Sequence, residues 1–139
     1  MAGNAVERVE DLKLWQRAME FWRAINAFID RPAFLTNRRL RDQLLDAADS
    51  VVSNISEGFE QPTDRAFANY LYTSKASAAE ARIRLKLACE RGHISQEEFS
   101  RCHAIGEEVA RMATGLIKHL VKSNRRGRGL GRTPGPTND

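Results

Sequence analysis

Apolar residues return every three or four positions in four separate runs along this chain, the spacing of amphipathic helices and not of strands. The first run carries two neighbouring stripes, Leu14, Ala18, Phe21, Ile25, Phe28 and Trp15, Met19, Trp22, Ile29, the second broken by Asn26. Stripes about 100° apart make an apolar face wider than one packing partner requires. Asp11 is the expected N-cap, residues 1–10 are expected to fray, and Asp30-Arg31-Pro32 is expected to end the helix. The second run, Leu40, Leu44, Ala47, Ala48, Val51, Ile55 and Phe59, predicts a helix over Arg38–Glu57, capped by Thr36 or Asn37 and terminating near Gly58.

Gln61-Pro62-Thr63-Asp64 then breaks the pattern, with Thr63 as the next N-cap. The third run reads Phe67, Leu71, Ser74, Ala78, Ala81, Leu85, Ala88, and its small central residues would admit another backbone at close range. Trp15 and Trp22 are the expected fillers of that gap. Gly92 is placed to close this helix, and Ser95-Gln96-Glu97-Glu98 is a capping box that opens the fourth. The fourth run continues Phe99, Cys102, Ile105, Val109, Met112, Leu116, Leu120. Four long helices joined by short loops predict an all-α protein, an antiparallel up-down-up-down four-helix bundle over residues 1–122. From Ser123 the chain turns to Arg, Gly, Pro, Thr and Asn, a composition expected to leave 123–139 a disordered basic tail.

Length agrees with one domain, since 139 residues support a single core. No apolar run approaches the roughly 20 residues that span a bilayer, so no membrane partner is expected and a cytoplasmic location is the simplest expectation. The net charge of +4 changes meaning once it is divided along the chain. Five of the 22 cations and one of the 18 acids lie from Lys122 onward, so the body is balanced and the tail is basic.

Catalytic chemistry is not legible. Cys89, His93, Cys102 and His103 match none of the common zinc spacings, and His119 stands alone. No nucleophile–histidine arrangement, phosphate loop or cofactor motif occurs, so no catalytic residue, metal or cofactor is expected. An enzyme would have to bring together two of Glu57, His93 and His103.

Binding chemistry is clearer. Ser50, Asn54 and Glu57 form a polar stripe beside Val51 and Ile55, readable as a ligand surface or as polar contacts that fix the register of helices or subunits. Lys75, Arg82 and Lys86 share one face of the third helix, with Arg84 and Arg91 nearby. Such a stripe is either a solvated face or a contact for phosphates. Arg38, Arg39 and Arg41 form a second patch, followed by Asp42, Asp46 and Asp49. In the tail, Arg125, Arg126, Arg128 and Arg132 are interleaved with glycines, as in flexible segments that bind RNA with little sequence choice, though a solubilising end has the same composition.

Asp11-Leu12-Lys13-Leu14-Trp15-Gln16-Arg17-Ala18, Gln43, Ala47-Ala48, Ser53-Asn54-Ile55-Ser56-Glu57-Gly58-Phe59, Ser77 and Glu80 occur in an order that resembles the 23S rRNA intervening-sequence protein family, also called S23. The resemblance covers three helices by motif and the fourth by length and pattern. It implies a four-helix bundle assembled into a homo-oligomeric ring, typically a pentamer, acting as a binding module without enzymatic activity. A similar bundle serves as the accessory protein of diversity-generating retroelements, which binds nucleic acid and a reverse transcriptase. Leu45-Asp46 and Val52 stand where that family often has a basic pair and a proline, which implies a straighter and less basic second helix. The resulting expectation is a non-enzymatic accessory protein whose partners are further copies of itself, RNA or DNA, or an enzyme such as a reverse transcriptase. The alternative is a protein scaffold without nucleic acid. Lys75, Arg82, Lys86 and the tail arginines would hold the nucleic acid, and Trp15, Trp22, Asn54, Glu57 and Gly58 would set assembly.

Overall fold

The computed structural model describes residues 6–125, and among them every regular element is helical. A 3₁₀ turn at Val9–Asp11 leads to α1 (Lys13–Asn26), a four-residue α2 (Pro32–Leu35), α3 (Arg38–Phe59), α4 (Asp64–Glu90) and α5 (Gln96–Arg125). The four long helices are those that the periodicity predicts. Residues 126–139, most of the predicted tail, lie outside the described residues, and α5 itself runs to Arg125.

Several helix ends are set by local chemistry readable from the sequence. Thr63 Oγ1 accepts from the Ala66 amide at 3.1 Å. Ser95 and Glu98 exchange the two bonds of a capping box, at 3.0 and 2.9 Å. Gly92, at φ +78°, closes α4 in a Schellman turn, with the His93 amide on Ala88 O and the Gly92 amide on Cys89 O.

Other ends differ from expectation. Asp11 does not cap α1; it lies inside the 3₁₀ turn, and buried Leu12 occupies the N-cap position without a side-chain cap. The first helix stops at Asn26, whose Nδ2 donates to Trp22 O at 2.9 Å. Phe28 and Ile29 prolong the apolar pattern but are buried from the following turn, where Phe28 stacks on Phe34. Pro32, expected only as a breaker, starts α2 from its first position, where a missing N–H costs nothing. Asn37 precedes α3 but does not cap it; its Nδ2 lies 3.3 Å from His93 Nε2.

Each long helix packs on two others: α1 on α3 and α5, α3 on α4, α4 on α5, while α2 lies on α3. No backbone approach links α1 to α4 or α3 to α5 among the described residues. The shared core includes Phe21, Phe34, Leu44, Ile55, Phe67, Leu71, Leu85 and Leu120, all fully buried. Each such side chain contributes about 1.5–3 kcal/mol through burial.

The small residues of α4 do admit a neighbouring backbone, and that neighbour is α3. Ser74 Oγ donates to Val51 O at 2.8 Å, and Ser50 Oγ meets Ser77 Oγ at 2.7 Å. Trp15 and Trp22 do not fill the gap there. Both are half-buried against α3 itself, where their Nε1 groups donate to Ser56 Oγ at 3.1 Å and Asp49 Oδ1 at 2.6 Å. Gly58 does not terminate α3 either; the helix continues through it to Phe59. A Cβ there would lie 2.7 Å from Tyr70 Cβ, so this glycine is a close-approach point between α3 and α4.

Candidate functional site

An α4 that touches both α3 and α5 still leaves one side to solvent. On that side Tyr72, Ile83 and Leu87 are 55%, 59% and 42% exposed, large apolar residues at near-helical spacing on a helix whose inward stripe is already satisfied. Ile83 and Leu87 stand between two grooves lined by the cations of α4.

On the α5 side the groove encloses about 440 Å³ and is lined by Ala79, Arg82, Ile83, Lys86, Phe99 and His103. Arg82 is half-buried, its stem passing over Gly106 and its Nη1 donating to Gly106 O at 3.4 Å. Lys86 Nζ sits 5.4 Å from the Phe99 ring centre and 3.5 Å from Glu90. His103 lies 5.1 Å from Phe99, ring to ring, and 3.5 Å from Glu107. The groove therefore offers two cations beside an aromatic pair, the elements that hold a phosphate and stack a base.

Of the residues expected to meet nucleic acid, Arg82 and Lys86 are brought together here. Lys75 lies outside the groove, about two turns nearer the start of α4. Arg125 ends α5, and Arg126, Arg128 and Arg132 lie outside the described residues. Phe99 and His103 were not legible as partners of these cations, because their placement depends on the register between α4 and α5. The only sequence signal was an aromatic and a histidine four apart on the fourth helix.

The second patch divides. Arg41 is taken up by Asp30 at 2.6 Å and Asp42 at 3.1 Å. Arg39 instead lines a groove of about 400 Å³ between α3 and α4, together with Asn37, Leu40, Gln43, Arg84, Leu87 and Arg91.

Glu57 and His93 are far apart. His93 meets Asn37 at the start of α3 and tilts against Phe34, whereas Glu57 is exposed near the other end of that helix, about 30 Å away at 1.5 Å per residue. Burial raises the Cys102 thiol to about 12, so it is not a thiolate at neutral pH. Cys89 Sγ contacts Gln96 Oε1 at 3.6 Å. Among the described residues no group of three or more His, Cys, Asp or Glu is placed to hold a metal, and no helix is long and apolar enough to cross a membrane.

This order of helices coincides with a family model described as 23S rRNA-intervening sequence protein, which matches residues 10–115. The chain belongs to that family. A solved structure of a protein of unknown function from the S23 ribosomal protein family of Bacteroides thetaiotaomicron shares the fold, with a TM-score of 0.65 at 23% identity. The likeness spans 76% of this chain and 98% of that one. No curated protein matches the chain.

The residues behind the resemblance to the 23S rRNA-intervening sequence proteins lie mostly along α3, which packs α1 on one flank and α4 on another. Trp15 bonds Ser56, and Gly58 admits α4. Asn54 Nδ2 donates to Ser50 O at 2.8 Å and Ser50 Oγ at 3.0 Å, so it reaches Ser77 of α4 only through Ser50. Glu57 faces solvent.

Proposed function

We propose that this member of the 23S rRNA-intervening sequence protein family is a non-enzymatic, homo-oligomeric accessory protein that binds single-stranded RNA or DNA along the outer face of α4. The observation that carries the reading is the groove in which Arg82 and Lys86 flank Phe99 and His103. Cations attract a phosphate backbone at any sequence, and the open edges of half-buried rings can meet any base, so the groove suits a strand held without strong sequence choice. The basic tail from Arg125 to Arg132 adds a second cationic contact.

The molecule that carries this face is an antiparallel up-down-up-down four-helix bundle. Short connections at residues 60–63 and 91–95, and the pairing of each long helix with two others and never with its diagonal, support that arrangement. Assembly into a ring, a pentamer by family resemblance, brings the α4 faces of several copies together and turns a weakly charged body into a cationic band. A reverse transcriptase or another nucleic-acid enzyme is the protein partner that the resemblance brings. The opposite placement of Glu57 and His93 supports the non-enzymatic reading, since an acid and a base 30 Å apart cannot serve one proton transfer (about 30 Å at 1.5 Å per residue).

A second reading, a scaffold without nucleic acid, draws on the exposure of Tyr72, Ile83 and Leu87 on the same face. Fluorescence anisotropy of a labelled single-stranded RNA, with the full chain and with a chain ending at Arg125, separates the two. Binding that weakens with salt supports the nucleic-acid reading, and its loss on truncation moves the contact from α4 to the tail. No binding at low salt leaves the scaffold.

A further inference from the structure

The groove between α3 and α4 has a different chemistry from the one on the α5 side. Arg39 and Gln43 enter it from α3, Arg84 and Arg91 from α4, over buried Leu40 and beside the exposed Leu87. No carboxylate lines it. Arg39 and Arg91 are exposed and make no ion pair among the described residues, and Arg84 is held only by a 3.7 Å contact to Glu80. The Arg84 Nε is buried and meets no protein acceptor. Three guanidiniums line one groove with a single long contact to a carboxylate outside it, so they repel one another, an arrangement that an incoming anion relieves.

The end of α3 adds to the imbalance. Its first turn holds no acid, and Arg38, Arg39 and Arg41 stand at the positive end of the helix dipole, where cations are unfavourable. Asn37, which could cap the exposed amides, is turned toward His93 instead.

We infer that the groove lined by Arg39, Arg84 and Arg91 is a binding site for phosphate oxyanions. Guanidinium forks match the geometry of phosphate oxygens, and the groove is large enough for one phosphorylated group with Gln43 available to a neighbouring polar atom. The site does not require the strand-binding reading, because it lies on the other flank of the Ile83–Leu87 ridge from Arg82 and Lys86. The phosphate comes either from a nucleic-acid strand or from a free nucleotide.

Isothermal calorimetry of the full chain with sodium pyrophosphate tests it, using wild type, Arg39→Ala/Arg91→Ala and Arg39→Lys/Arg91→Lys. Both positions are exposed and unpaired, so the fold is retained, and circular dichroism checks that. The expected result is binding by wild type, weakened by at least about tenfold in the alanine variant and partly restored by lysine. Competition by a 5′-phosphorylated single-stranded RNA assigns the phosphate to a strand; competition by a nucleoside triphosphate alone assigns it to a free nucleotide. Absence of pyrophosphate binding in wild type, or equal binding by the alanine variant, overturns the inference. Tighter binding of polyglutamate than of pyrophosphate overturns it too, in favour of an acidic protein segment. RNA binding that depends on Arg82 and Lys86 but not on Arg39 and Arg91 excludes a strand as the source of the phosphate here and leaves the free nucleotide.

Discussion

At Gly58 a methyl group would lie 2.7 Å from Tyr70 Cβ and 2.9 Å from the Phe67 ring, and Tyr70 Cβ cannot swing away because it is fixed to the α4 backbone. The helix-propensity gain of alanine, about 1 kcal/mol, is outweighed by overpacking of about 1–3 kcal/mol. Gly58→Ala is therefore expected to lower the melting temperature. Gly115→Ala, exposed and with nothing within 4 Å of the added carbon, is expected to raise it by the propensity term alone, about 0.5–1 kcal/mol. Thermal melts of the two variants check both signs. Gly58 reads as a helix terminator in the sequence because a glycine after Ser-Glu and before a proline-containing break often is one. Its actual role depends on Tyr70, twelve residues on, and contacts between helices leave no local trace. The tryptophans mislead in the same way: their bulk suggested a gap-filling role, whereas their Nε1 groups choose acceptors on α3.

Among the elements, the segment between α1 and α3 is tied to the start of α5 by the Arg31–Glu98 pair. Arg31 donates to both oxygens of Glu98, at 2.9 and 2.5 Å, and Glu98 also accepts from the Ser95 amide. The Arg31 bonds, followed by the Ser95 amide, lower the Glu98 carboxyl to about 2. Because the folded value lies below the unfolded one, the stabilisation is complete above about pH 4.5 and is lost as pH falls toward 2. Glu98→Gln is expected to cost about 1 kcal/mol at pH 7, modest because Arg31 is 44% exposed, and almost nothing at pH 2. Melts of both proteins across that range give the difference; a constant gap would refute the assignment. The capping half of Glu98 was legible as Ser-x-x-Glu, but the Arg31 half was not, since α2 is too short to leave a period and its turn brings Arg31 around to α5. Four helices, two caps and a glycine closure were readable because each is local. On α4, Ile83→Glu is expected to weaken single-stranded RNA binding without loss of helicity or of the mass seen by light scattering, because Ile83 is 59% exposed and lines the groove of Arg82 and Lys86. A fall in mass would instead assign that face to assembly.

For the whole molecule, the division into a balanced body and a basic end locates the functional question on local grooves instead of a general field. The α4 cations were legible one helix at a time, as a stripe. Their sorting into two grooves, Arg82 and Lys86 with the rings of α5, Arg84 and Arg91 with Arg39 of α3, follows from how three helices pack and had no sequence signature. The α5-side groove is proposed to hold a nucleic-acid strand. Its most direct measurement is the salt dependence of single-stranded RNA binding by wild type and by Arg82→Gln/Lys86→Gln, a pair that keeps the stems packed on Gly106 and Phe99. Log K is expected to fall linearly with log salt, with the variant's slope shallower by about 1.4 for two lost phosphate contacts on a single strand. Wild-type binding with the same slope and affinity as the variant would contradict it.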